Sequence, residues 1–252
     1  MKFCDLKNKN IVITGASSGL GREACILLSK LNANICLIGR DQIRLEKTKS
    51  LMLNANHQIL SFDLCNFETY KELFKNIVSK MGNLHGMAHF AGIEKREPLQ
   101  IISTQSMRDI FDINFYSFIE LCKQFSKKSI VSPEGASIVA ASSVASFRGI
   151  PSLTGYSASK SALNASIKTL SHELASKKIR VNGIAPGYVE TEMNAKIKEK
   201  LSLEAYDKIV KEHPLGIGDP RQVVNLLAFL LSDEASWVSG TIIPIDGGFM
   251  AK

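Results

Sequence analysis

The 252-residue chain is 45% hydrophobic and 22% charged, the balance of a globular protein with a large buried core, which excludes a disordered or fibrous chain. Its net charge of +7 comes without a long basic block or a nucleic-acid reading motif, so nucleic acid is not an expected partner, and the excess reads as lysines spread over solvated faces, with anionic partners such as phosphates as the alternative. The five cysteines (4, 25, 36, 65, 122) contain no C-x-x-C pair and the five histidines are scattered, which argues against a disulfide frame and a metal site and for a reducing, cytoplasmic setting. No run approaches the ~18 apolar residues of a membrane span, and "MKFCDLKNKN" lacks the apolar stretch of a signal peptide.

In chain order, short apolar runs alternate with amphipathic segments. "NIVITG" (10–15) predicts a buried strand, and after a glycine turn Leu20, Ala24, Leu27, Leu28 and Leu31 recur at helical spacing. "NICLIG" (34–39) is a second strand, followed by a polar-faced helix with Asp41 as N-cap. "ILSFD" (59–63) is a third, and Tyr70, Leu73, Phe74, Ile77, Val78 and Met81 form the next apolar stripe. "GMAHFAG" (86–92) is a fourth strand, after which Met107 to Phe125 reads as one long helix. Strands at 136–142, 179–187 and 241–248 follow, separated by helices at 157–176 and 220–231, the latter opened by Asp219 and Pro220.

Strand and helix in alternation, with strands apolar throughout, predict an α/β protein: a doubly wound parallel sheet covered on both faces. No linker or repeat divides the chain, so residues 1–252 are expected to form one domain. A helical insertion at about 188–216 breaks the rhythm, as a lid over one end of the sheet would.

Two spacings carry chemistry. "TGASSGLG" (14–21) joins the first strand to the first helix, where glycines permit close backbone approach and a helix N-terminus offers free N–H groups to a pyrophosphate. "GYSASK" (155–160) puts Tyr156 one helical turn before Lys160, and a neighbouring cation favours the phenolate and lowers the phenol pKa. With "FDL", "FAG", "DINFYS", "AASSVAS", "RVNGIAPGYVET" and "SGTIIPIDGG" in order, the chain resembles the short-chain dehydrogenase/reductase family along essentially its whole length.

That resemblance implies a Rossmann-type sheet of about seven strands binding NAD(P) at the switch point. It implies a catalytic set of Asn114, Ser143, Tyr156 and Lys160: Tyr156 as general acid or base, Ser143 on the reacting carbonyl, Lys160 on Tyr156 and the ribose, Asn114 at a relay water. Ser142 adjoins Ser143, and the spacing of thirteen residues to Tyr156 favours the latter. The implied cofactor contacts are Gly15, Ser17, Ser18, Gly19, Leu20, Gly21, Arg40, Asp63, Leu64, Ala91, Gly92, Tyr156, Lys160, Pro186, Gly187, Val189 and Thr191. Gly39 followed by Arg40, in place of an acidic residue, implies NADP(H) over NAD(H). "HFAG" replaces the family's Asn-Asn-Ala-Gly, and His89 reads as a buried, hydrogen-bonded strand residue.

The C-terminal third is similar to β-ketoacyl-carrier-protein reductases, which implies reduction of a carbonyl, with an acyl-carrier-protein thioester among the substrates and Lys127, Lys128, Lys177 and Lys178 as a candidate docking patch. A sugar, polyol, steroid or other secondary alcohol is the alternative substrate, and a non-catalytic NADP-binding regulator the alternative role. A homodimer or homotetramer is implied. Residues 94–97, 144–155 and 188–213 are expected to shape the substrate pocket.

Overall fold

The apolar runs pair as one parallel sheet because each strand has greasy residues on both sides and must be covered twice. The computed structural model describes residues 4–53, 56–199 and 201–251. Its strands are β1 (Asn10–Thr14), β2 (Asn34–Gly39), β3 (Gln58–Ser61), β4 (Gly86–His89), β5 (Ala136–Ala141), β6 (Ile179–Pro186) and β7 (Ile242–Ile245), in the order β3-β2-β1-β4-β5-β6-β7. Alternation divides their side chains between two cores. Val12, Cys36 and Ile38 join residues of α3 (Tyr70–Met81), α5 (Ser117–Phe125) and α6 (Thr154–Glu173) on one face. Ile11, Ile13, Ile35 and Leu37 join α1 (Gly19–Lys30), α2 (Gln42–Lys49) and α9 (Pro220–Leu231) on the other.

The expected caps form. Asp41 accepts from the Arg44 amide at 3.1 Å, and Asp219 closes a capping box with Gln222 ahead of Pro220. The chain runs outward from β1 to β2 and β3 on one side and crosses to β4 on the other, so a crevice opens above the C-terminal ends of β1 and β4. Helices α7 (Glu192–Lys198) and α8 (Leu203–Glu212) fill the 188–216 stretch.

The long helix expected from Met107 to Phe125 is interrupted. α4 (Thr104–Phe111) passes through a π-helical stretch, Asp112–Tyr116, before α5 resumes. The hydrophobic stripe survives this because both flanking helices still bury their apolar faces. The Ser117 hydroxyl donates back to the Ile113 carbonyl at 2.6 Å, engaging a backbone acceptor next to the irregular turn.

His89 lies opposite Thr14 in the β1–β4 pairing and is fully buried. Its Nδ1 is 2.9 Å from the Thr14 hydroxyl, whereas Nε2 has no hydrogen-bond partner among the described residues, so the expected bonding is met on one nitrogen only. Burial, with the Lys160 charge second, holds the ring neutral and pushes its pKa down to about 3. In the unfolded chain an imidazole titrates near 6.5. Between those values the unfolded chain takes up a proton that the folded one refuses, so this contribution to stability is intact above pH ~6.5 and lost as pH falls towards ~3. We expect His89 to cost about 2 kcal/mol at pH 5 relative to pH 7 by this linkage. Urea denaturation at both pH values checks it: His89→Asn should shrink the pH-dependent loss, and an equal loss in both proteins would refute the assignment.

Candidate active site

The glycine turn and the Tyr156–Lys160 pair face one cavity of about 650 Å³, within the usual range for small-molecule sites. Ser18 caps α1 with extended backbone and no side-chain cap bond, which leaves first-turn N–H groups open to an anion. Gly21 packs on the turn itself: a Cβ there would lie 2.3 Å from the Gly15 carbonyl oxygen. Open amides over a loop that tolerates no side chain at this point fit a dinucleotide pyrophosphate. All seventeen candidate cofactor residues, Gly15 through Thr191, line the cavity. Arg40 is exposed beside Gly39 at the end of β2, while Asp63 and Leu64 follow β3.

Of the candidate catalytic residues, Ser143, Tyr156 and Lys160 line the same cavity and Asn114 lies buried behind it. The two serines separate clearly. Ser142 is buried and donates to Asn164 Oδ1 at 2.6 Å, whereas the Ser143 hydroxyl accepts from the Ala145 amide at 3.2 Å and lies where it favours the ionised form of the Tyr156 phenol. Lys160 Nζ sits 5.7 Å from the Tyr156 ring centroid and donates to the Ala141 carbonyl at 2.7 Å. Asn114 accepts from the Ile93 amide at 2.8 Å and donates to the Ile93 carbonyl and the Ser159 hydroxyl. Gly92 allows this approach, since a Cβ on it would come within 3.2 Å of Asn114 Oδ1 and 3.5 Å of Lys160 Nζ.

The charge balance corrects one sequence expectation. The Tyr156 phenol is pushed up, not down: enclosure and the Glu94 carboxylate raise its pKa, against smaller opposing effects of the Ser143 hydrogen bond and Arg96. The same burial lowers Lys160 to about 8. Lys160 lies one turn along the helix with its Nζ 5.7 Å from the ring centroid, and enclosure of the phenol decides the direction of the shift.

The family model described as enoyl-(acyl carrier protein) reductase matches residues 15–250. The 3-oxoacyl-acyl-carrier-protein reductase FabG of Rickettsia prowazekii is 35% identical, covering 98% of both chains. This chain belongs to the short-chain dehydrogenase/reductase family. It is accordingly an NAD(P)-dependent oxidoreductase. The L-xylulose reductase of Caenorhabditis elegans is 32% identical over 97% of each chain. A solved short-chain type dehydrogenase/reductase from Mycobacterium ulcerans superposes with a TM-score of 0.90 at 28% identity, covering 98% of this chain and 91% of that one.

In this short-chain dehydrogenase/reductase, the far end of the cavity is charged. Glu94 pairs with Arg96 at 2.8 Å and Arg148 with Glu212 at 3.4 Å, and Lys208 also lines the wall. Arg148 stacks on Phe249, its guanidinium carbon 4.4 Å from the ring centroid. His213 closes this corner, accepting from the Tyr188 amide at 3.0 Å and facing the Ile209 carbonyl at 2.7 Å. Sequence reasoning located these segments but passed over Arg22, Arg44 and Glu192, which meet beside the glycine loop. The available signal was Arg44 in the first turn of α2, close behind Arg40.

The lysine patch lies elsewhere. Lys177 donates to the Ser126 carbonyl at 2.9 Å, and the Lys178 carbonyl accepts from Ala136 at the start of β5. Lys127, Lys128, Lys177 and Lys178 therefore gather near the N-terminal ends of β5 and β6, at the opposite end of the strands from the cavity.

Proposed function

We propose that this oxidoreductase reduces a carbonyl to a secondary alcohol with NADPH as its preferred cofactor. The observation that carries the reading is that Ser143, Tyr156 and Lys160 line one cavity together with the glycine loop. The reduced nicotinamide, when bound, supplies the hydride. The Tyr156 hydroxyl delivers the proton to the carbonyl oxygen, and Ser143 holds that oxygen by hydrogen bonding. Lys160 holds the nicotinamide ribose, and Asn114 keeps the Gly92–Ile93 backbone against Lys160, near which the relay water belongs.

NADPH is supported by Arg40 next to Gly39 and by Asp41 spending its carboxylate on the α2 cap. Purified protein assayed by nicotinamide absorbance should turn over NADPH at least tenfold more efficiently than NADH, a difference of ~1.4 kcal/mol. Equal or better use of NADH would overturn the preference.

For the substrate, the FabG relative supports a 3-oxoacyl thioester. The charged pairs Glu94–Arg96 and Arg148–Glu212 favour a second reading, a hydrophilic carbonyl such as a keto sugar, because an acyl chain would strip water from those groups. A panel of acyl thioesters, keto sugars, steroids and simple ketones separates them. Cofactor binding with no turnover across the panel would instead indicate a regulator. A homodimer or homotetramer is supported by Trp237, 99% exposed, and half-exposed Tyr116, and light scattering measures it directly. Five unpaired cysteines support a cytoplasmic setting. No helix among the described residues is long and apolar enough to cross a membrane.

A further inference from the structure

A carboxylate ties three helices together beside the glycine loop, without any part in the proton chemistry. Glu192, the first residue of α7, reaches Arg22 of α1 at 2.6 Å through one oxygen and Arg44 of α2 through the other. Arg22 is immobilised by further bonds to the Thr48 hydroxyl at 3.2 Å and the Ser17 carbonyl at 2.5 Å. Arg44 is different. Its side chain is 43% exposed, the residue lines the cavity with Gly39 and Arg40, and its guanidinium has Glu192 as its hydrogen-bond partner among the described residues. The neighbouring Thr191 caps α7 directly over the loop, its Cβ 3.7 Å from where a Cβ on Gly19 would lie. Segment 191–192 thus straps the glycine loop to the first turn of α2.

We propose that Arg44 is a second ligand for the cofactor 2′-phosphate, beside Arg40, and that Glu192 is the competing anion that holds Arg44 until that phosphate arrives. This rests on the NADPH reading above. A phosphate brings up to two negative charges and three acceptor oxygens, against one charge shared between two guanidinium groups on Glu192, so it wins Arg44. Glu192 keeps its bond to the anchored Arg22, and α7 stays over the loop while its tie to α2 opens. NADH carries no anion at that position and leaves the bridge closed. The carboxylate therefore taxes NADPH binding specifically, and its removal is felt by one cofactor only.

The test is equilibrium binding of NADPH and NADH, followed by nicotinamide fluorescence, in wild type and in Glu192→Gln, Arg44→Gln, the double variant and Arg40→Gln, with circular dichroism confirming the fold of each. Glu192→Gln should tighten NADPH about tenfold and Arg44→Gln weaken it about tenfold, with NADH moved less than about twofold by either, the scale of one charge-assisted hydrogen bond. In the Arg44→Gln background, Glu192→Gln should give no gain, because the two act through one contact. Variants that shift both cofactors equally, or neither, overturn the proposal. Loss of NADPH preference in Arg40→Gln alone would leave the cofactor reading standing and remove Arg44 from it. A wild type indifferent to the two cofactors, with preference appearing in Glu192→Gln, would do the reverse.

Discussion

Tyr156→Phe should lower kcat by ~10²–10⁴-fold, the range that a positioned acid contributes, while cofactor affinity stays within about twofold of wild type. The substitution keeps the ring, its packing and its place one turn before Lys160, and removes only the hydroxyl. Of the seventeen candidate cofactor contacts the substitution trims one hydroxyl and leaves the glycine loop and the ends of β2 and β3 untouched. Kinetics with the best panel substrate, together with NADPH fluorescence titration, separate the two effects. A variant retaining more than a few per cent of wild-type kcat would mean that the proton comes from another group.

Gly21→Ala should damage both stability and cofactor binding. The added methyl would sit 2.3 Å from the Gly15 carbonyl oxygen and 2.7 Å from its carbon, backbone atoms with no rotamer to retreat into. Either α1 or the turn must move, a strain of the kind that costs ~1–3 kcal/mol in overpacked interiors. A displacement of even ~1 Å in the cradle should lower kcat/KM by about 10²-fold. Thermal denaturation and NADPH titration read the two consequences. Gly149→Ala is the stability control, since a Cβ there meets nothing within 4 Å. Its melting temperature should match wild type, and a Gly21→Ala protein that did so as well would show that the loop has slack.

Much of the site was readable because it is local. Tyr156 and Lys160 share a face through helix geometry, the glycine turn announces itself between a strand and a helix, and Asp41 and Asp219 cap as their neighbours dictate. Burial is not local. The sign of the Tyr156 shift depends on enclosure by walls drawn from several loops and on Glu94, sixty-two positions earlier in the chain. The π-helical stretch at Asp112–Tyr116 leaves the apolar stripe on both sides intact, so periodicity passes straight through it.

The sequence by itself determined the element order, the two faces of each strand, the helix caps and the chemical cast of the crevice, because dihedral preference and side-chain periodicity act over a few residues. Tertiary structure alone turned the Ser142 hydroxyl inward onto Asn164 and brought the lysines at 127–128 and 177–178 together near the N-terminal ends of β5 and β6. It also brought Glu192 to Arg22 and Arg44 across separations of 170 and 148 residues. Such meetings follow from strand order and from which groups lose water on folding, and both are properties of the assembled sheet.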